Sequence, residues 1–333
     1  MISVAVLHAA GYVGRSLMEV ILAHPDLDLV TATSRSFTGQ PISDAHPTLA
    51  GRTNLKFVSS LEEGAWPDLV FVAAGHGQGA TAVGNLRDAG FDGLVVDMSA
   101  DFRLPDAQTY VQRYGTKHPR PDLLAGAWYG MPEITGPPPA GTTLIANPGC
   151  FATAISLALY PFSADDAPTI DVFSVTAMTG ASGSGALPKP TTHFPDREGN
   201  MRAYKVFSHQ HEAEIDRMAP GVSYRFVPVS GPWTAGIWGT AQATLPAGVD
   251  EAAITRLFES CYVEHALIRL WPGKLPELRW SVGSPFTDLG WVIQQDRLVV
   301  GFGIDNLMKG AATQAVQNAN LALGWENTHG LIP

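Results

Sequence analysis

Short, unbroken apolar runs alternate with helix-patterned segments along the first 150 residues, and few architectures accommodate that order. The run "ISVAVL" at 2–7 carries one small hydroxyl and otherwise no polar group, as expected of a strand covered on both faces. The turn "HAAGYVG" follows. Then "RSLMEVILAHP" places Leu17, Val20 and Ile21 on one face of a helix. "LDLVTATSR", "DLVFVAAGHG", "GLVVDMSADFR" and "TLIANPGC" read as four further strands, the last leading into a helix after Cys150. Strands alternating with helices predict an α/β fold, a doubly wound parallel sheet.

The texture changes after about residue 165. "TIDVFSVTAMTG", "SYRFVPVS", "GIWGTAQATLP" and "RLVVGFGID" alternate polar and apolar residues with fewer helices between them, and "DEAAITRLFESCYVEHA" fits one helix. This predicts a second, α+β domain with a mostly antiparallel sheet. "NLMKGAATQAVQNANLALG" returns to helical spacing at Ala311, Ala315, Val316, Ala319 and Leu323. The expected division is a nucleotide-binding domain over 1–149, completed by a C-terminal helix at about 306–333, and a catalytic and dimerisation domain over 150–305. No internal repeat is present, and "GPPPAG" at 136–141 reads as a stiff linker.

Composition narrows the function classes. The 333 residues are 45% hydrophobic and 16% charged, enough apolar material for a core and unlike a disordered chain. A net charge of −10 with no basic run argues against nucleic-acid binding. Two cysteines, Cys150 and Cys261, are too few for a disulfide framework; both are read as reduced and the chain as cytoplasmic. The N-terminal apolar run has no basic flank and breaks at glycine, so it reads as a strand, not a signal peptide. No apolar stretch reaches the roughly 18 residues that a membrane span needs.

The turn after the first strand is where a dinucleotide pyrophosphate binds a Rossmann-type sheet. Here Ala10, Gly11, Tyr12, Val13 and Gly14 keep two of the three glycines usual in such turns, and His8 stands in place of the first. An ordinary tight turn is the alternative reading. The second strand ends in "ATSRS", with Ser34 and Arg35 and no carboxylate. A carboxylate there would select NAD, whereas an arginine pairs with a 2′-phosphate, so NADP(H) is the expected cofactor unless Arg35 is simply a surface residue.

Cys150 sits between "ANPG" and the apolar helical run "FATAISLAL". A helix N-terminus carries unpaired N–H groups and partial positive charge, which favours a thiolate. Cys261 falls inside an amphipathic run and reads as structural. A thiolate attacking a carbonyl needs an acid/base partner. "FSHQHEAEID" offers His209 and His211, with a structural pair and a metal site as competing readings. Glu212 and Glu214 are close only in sequence, so no metal is expected. "MTGASGSGALPKP" at 178–190 is a second Gly/Ser loop whose backbone donors suit a cofactor or an anion. Arg103 in "DMSADFRLPD" lies just past a strand end, where it would hold a phosphate or carboxylate or pair with Asp101 or Asp106.

Taken together, "AAGYVG", "DMSADFRL", "YGMPEI", "NPGCFATA", "TGASGSGA", "SHQHEAEI" and "IDNLMKGAATQAVQNAN" resemble, in order and over nearly the whole chain, the N-acetyl-gamma-glutamyl-phosphate reductase family. The related reductases of carrier-protein-linked lysine biosynthesis are similar in the same segments. The resemblance implies a semialdehyde-dehydrogenase-like fold and NADPH-dependent reduction of an acyl phosphate through a cysteine thioester. It implies Cys150 as nucleophile and the acid/base group in the His209/His211 pair, with His211 favoured. It places the loop around Ser182 and Gly183 near the cofactor, and Asn306 close to the nicotinamide within a closing motif that runs from Asp305 through Leu307 to Lys309 and Gly310. By analogy with semialdehyde dehydrogenases, Arg103 goes to a substrate anion. A homo-oligomer, dimer or tetramer, is implied as well.

Two departures bear on substrate. His8 replaces the first glycine, and Ala235 in "SGPWTAGI" stands where the family has an arginine. "SRSFTGQPISDAHPTLAGRTNLKF" and "KHPRPDLL" look more like the lysine branch, whose partner is an acidic amino-group carrier protein; a net charge of −10 sits poorly with such docking. Three readings therefore stand: reduction of free N-acetyl-gamma-glutamyl phosphate, reduction of a carrier-bound aminoadipyl or glutamyl phosphate, and a non-catalytic NADP-binding sensor on the same fold.

Overall fold

A computed structural model describes residues 1–332, and the chain divides into two compact units. The first comprises Met1–Pro148 and the stretch from Ala311. Its sheet has six strands: β1 (Ile2–Leu7), β2 (Leu27–Ala32), β3 (Leu69–Val72), β4 (Leu94–Asp97), β5 (Ala127–Tyr129) and β6 (Leu144–Ala146). Their order is β2-β1-β3-β4-β6-β5 and every pairing is parallel. The apolar runs are strands because both of their faces are covered: Val4 to Val6 and all of β3 are buried. The sheet grows outward in opposite directions from β1 and β3, and such a switch point opens a crevice at the strands' C-terminal ends.

The helix Thr313–Ala322 belongs to this unit and is buried for most of its length, although Gln314, Gln317, Asn318 and Asn320 lie on it. Burial is tolerated because the amides find partners. Asn318 Nδ2 donates to Gly130 O (2.8 Å) and Asn147 Oδ1 (3.0 Å), and Gln317 Nε2 donates to Glu133 Oε1 (2.9 Å). A side chain at position 130 would collide with the Asn318 amide, so glycine there permits the approach.

The second unit, Gly149–Gly310, holds a seven-stranded sheet. Its strands are β7 (Phe173–Thr179), β8 (Arg202–Ala203), β9 (Tyr224–Ser230), β10 (Ile237–Thr244), β11 (Ile268–Pro272), β12 (Thr287–Gln294) and β13 (Arg297–Ile304). In the order β11-β12-β13-β10-β7-β9-β8, only β11–β12 and β7–β9 run parallel. The helix Cys150–Leu159 is buried from Phe151 onward and packs on β10 and β13. The helix Glu251–Tyr262 starts where Asp250 accepts the Ala253 N–H at 2.8 Å, and Tyr262 ties it to the first helix by donating to Leu157 O.

The fold is the expected α/β arrangement, a doubly wound parallel sheet with a second α+β unit. Sequence patterning does not disclose β5, β8, β11 or β12. β5 and β8 are three and two residues long at sheet edges, too short for a period. β12 carries a fully buried Asp288, neutralised by Arg269 and bonded by Ser281 and Trp271, which disguises a core strand as a polar one. The C-terminal helical pattern begins as a π-helical turn, Met308–Ala312, before the α-helix.

Candidate active site

In the first unit, a cleft of about 460 Å3 lies at the ends of β1 and β2. His8, Ser34, Arg35, Trp66 and Gly77 are among its lining residues. His8 adopts a left-handed backbone (φ 57°), which explains why glycine is usual there, and its N–H donates to Thr33 Oγ1 at 3.0 Å. Burial first, and the Arg35 cation second, depress the His8 pKa, so its ring is neutral near pH 7. Behind the cleft-lining Gly77, buried Asp101 accepts the N–H groups of Gly77 and Ala80, each at 2.8 Å, and the Tyr110 hydroxyl at 2.9 Å. It thereby fixes the turn after β3.

Gly11 is the N-cap of the helix Tyr12–Ile21, in an extended conformation, and no side chain caps that helix. A Cβ on Gly11 would meet nothing within 4 Å, whereas one on Gly14 would strike the Ala9 backbone. The first glycine leaves an open approach to the uncapped N–H groups; the second lets helix and strand pack closely. Ala10, Tyr12 and Val13 complete this turn. These features fit a dinucleotide: donors for a pyrophosphate, and Ser34 and Arg35 at the end of β2 for a 2′-phosphate. Arg103 is buried, its Nε donating to Asn147 O and its Nη2 to Met98 O, both at 2.8 Å. It clamps the chain three residues before Cys150.

In the second unit, Cys150 is the first residue of its helix, with extended Gly149 as N-cap and no side chain capping that end. The Gly149 N–H donates to Glu214 Oε2 at 2.9 Å. The His211 imidazole lies directly against Gly149, where any Cβ would collide with it, and His211 Nε2 is 3.9 Å from Glu214 Oε1. A Cβ on Gly310 would come within 2.8 Å of Cys150 Cβ, so the backbone there is also pressed against the cysteine. Thiol, imidazole and carboxylate are thus gathered around one glycine.

His209 and His211 share a face without being in a strand. They precede the helix Glu212–Met218, with ring centroids 4.7 Å apart. His209 is 3% exposed, packed edge-on against Phe151 and Phe226, and its Nδ1 accepts the His211 N–H at 3.2 Å. Burial, then the neighbouring His211 and Lys205, push its pKa down to about 2. A ring so reluctant to charge serves as a wedge that positions His211. The Tyr204 ring lies 5.8 Å from the His209 ring. Burial first and the nearby Cys150 second raise the Tyr204 pKa, which keeps the phenol neutral. The turn from β8 to His209 passes through left-handed backbone at Lys205 (φ 46°) and Phe207 (φ 54°), strain of about 1 kcal/mol or more each.

Ser182, Gly183 and Asn306 also meet within this unit. Asn306 Oδ1 accepts the Gly236 N–H at 2.6 Å, and its Nδ2 donates to Ser182 Oγ at 3.0 Å. The N–H groups of Ala181 and Ser182 donate to the carbonyls of Trp233 and Thr234. Those two N–H groups are spent inside the protein. Sequence patterning missed Tyr204 and weighed Glu214 only as a metal ligand. Glu214 follows His211 at i+3, the one spacing on a helix start that could have flagged it.

Comparisons with known proteins agree with this geometry. Residues 3–138 match the family description "Semialdehyde dehydrogenase, NAD binding domain", and residues 150–306 match "Semialdehyde dehydrogenase, dimerisation domain". The chain belongs to the semialdehyde dehydrogenase family, as an oxidoreductase whose NAD(P)-binding domain is consistent with NADP(H) as the cofactor. A LysW-L-2-aminoadipate 6-phosphate reductase of Deinococcus radiodurans is 35% identical, covering 99% of this chain and 96% of its own. An N-acetyl-gamma-glutamyl-phosphate reductase of Acidothermus cellulolyticus is 39% identical, covering 98% and 97%. Among solved structures, aspartate semialdehyde dehydrogenase II of Vibrio cholerae shares the fold, with a TM-score of 0.70 at 19% identity over 97% of this chain and 98% of its own. Among the described residues, no helix is long and apolar enough to cross a membrane.

Proposed function

We propose that this enzyme reduces an acyl phosphate to a semialdehyde through a thioester on Cys150, and that N-acetyl-gamma-glutamyl phosphate is its substrate. The observation that carries the chemistry is the cysteine at an uncapped helix N-terminus with His211 seated on the preceding glycine. In this reading Cys150 Sγ attacks the acyl carbon as His211 takes its proton. The new C–S bond replaces the C–O bond to phosphate, and inorganic phosphate leaves. NADPH, when bound, supplies hydride to the thioester carbon. His211 then holds its proton beside the oxygen that gains charge, and cleavage of the C–S bond frees the aldehyde and the sulfur. His209 holds the His211 backbone, and Glu214 holds Gly149. Arg103 supplies positive charge for the substrate anion from a guanidinium already fixed on two carbonyls. Gly11 to Gly14, Ser34 and Arg35 bind NADPH, while Ser182, Gly183 and Asn306 shape the wall of the catalytic unit.

A second reading is reduction of a carrier-bound aminoadipyl or glutamyl phosphate. Relatives carrying both kinds of name match this chain at 33–39% identity, which favours neither. The test runs the reaction backwards: purified protein, N-acetylglutamate semialdehyde, phosphate and NADP, with NADPH absorbance as readout. Phosphate-dependent NADPH formation is expected, reduced about a thousandfold or more in Cys150→Ala. No turnover with NADP still bound would turn the assignment to the carrier-linked substrate. Failure of that substrate too would favour the sensor.

A further inference from the structure

The segment between β7 and β9 contains a buried cation that the proposed chemistry does not use. Arg197 ends the short helix Phe194–Arg197. It is 7% exposed, while Phe194 on the same turn is 72% exposed. Its Nη1 donates to Ser230 Oγ and its Nη2 to Gly231 O, both neutral acceptors at the end of β9. Its Nε is buried and has no partner among the described residues. The charged and phenolic groups that act on it are Arg202, a second cation, and Tyr204. Burial, then Arg202, press its pKa below the usual arginine range. No carboxylate is among the groups that act on it in the described residues.

A buried guanidinium without an anion is costly, and replacing it by an apolar side chain of similar size generally would not destabilise a fold. Such a group persists where an anion arrives from outside. Of its five N–H donors, two are used, and the unpartnered Nε lies on one edge of the planar fork. A line of side chains within the same unit joins this site to the thiol. Arg197 and Tyr204 both bond to β9, at Ser230 and at Pro228 O; Tyr204 abuts His209; His209 abuts His211; and His211 rests on Gly149 beside Cys150.

We propose that Arg197 binds a carboxylate at the end of the substrate remote from the reacting acyl carbon, so that this site takes acyl phosphates bearing a second, free carboxylate. The assignment rests on Cys150 as the reacting group, and it is tested without turnover. Iodoacetamide alkylation of Cys150 is followed by mass spectrometry with either of two protecting ligands. N-acetyl-L-glutamate carries the extra α-carboxylate; 4-acetamidobutyrate is the same molecule without it. Wild-type protein should be protected at about 10- to 100-fold lower N-acetyl-L-glutamate than 4-acetamidobutyrate, the range expected of one charged hydrogen-bonded pair. Arg197→Met should lose that preference, keep its protection by 4-acetamidobutyrate and melt no lower than wild type. Arg197→Lys should retain part of the preference. If Arg197→Met keeps the full preference, or if wild type never distinguishes the two ligands, the assignment is overturned. If Arg197→Met melts well below wild type while Arg197→Lys, still folded, keeps the full preference, the arginine is structural. Failure of the acyl phosphate reading would appear separately, as absent turnover alongside intact carboxylate-selective protection.

Discussion

At the scale of single residues, the two buried histidines are set apart by what they touch. His211 touches Gly149 beside the thiol; His209 cannot charge in place. His211→Asn is therefore expected to lower kcat by about 100- to 10,000-fold, the contribution of a general acid/base, with KM little changed. His209→Asn, which keeps an acceptor for the His211 N–H, should cost far less. His209 also leaves a signature in stability. Its pKa falls from 6.5 in the unfolded chain to about 2 in the folded protein. The unfolded state therefore binds the extra proton, and the stabilisation is full above pH 6.5 and lost as pH falls through the window toward 2. The slope approaches about 1.4 kcal/mol per pH unit. Urea midpoints between pH 7.5 and 5 should show this decline, and His209→Asn should flatten it. The burial-depressed pKa values of His8, His24 and His46 leave a residual slope of the same sign.

At the scale of elements, the two glycines of the first turn separate binding from folding. Gly11 has φ −88° and open space before it, so Gly11→Ala should fold like wild type and yet bind NADPH roughly tenfold more weakly or worse, because the methyl occupies the cofactor's approach. Gly14→Ala drives a methyl into the Ala9 backbone and should cost about 1–3 kcal/mol of stability. Thermal melts with and without NADPH, together with fluorescence titration, distinguish the two. Much at this scale can be read from patterning: β3 is a continuous apolar run, β1 is broken only by Ser3 and β4 is apolar up to Asp97, and the cysteine helix follows an Asn-Pro-Gly break. The rest is hidden because its logic is tertiary. The apolar face of the Thr313–Ala322 helix is legible, but the burial of its amides is understood only once Gly130 and Glu133 take them up. Arg197 sits in "PDREGNMR", which looks like a solvated charge run, and only its inward turn onto Ser230 and Gly231 sets it apart. Cys150, His209 and His211 are legible as a motif; Glu214 and Tyr204 gain their meaning only from what they touch.

For the whole molecule, the match to a dimerisation domain and the exposed Leu187, Phe194 and Phe207 support self-association, which we propose as its working state. Sedimentation equilibrium should give at least twice the chain mass of 35.4 kDa, and a monomer at micromolar concentration would exclude it.

The chain's path through its two units also sets an order of manufacture. The first unit opens at Met1, breaks off at Pro148 and resumes only at Ala311, with the helix that packs on β4 and on Tyr12–Ile21 coming last. On a ribosome adding about 5–20 residues per second, the nucleotide-binding sheet must wait on the order of ten to thirty seconds for its missing helix. The second unit, a continuous insertion, is complete before then. During that interval the nascent chain exposes the sheet surface that the final helix will cover, and a stop codon a few residues short of Ala311 would leave it bare for good.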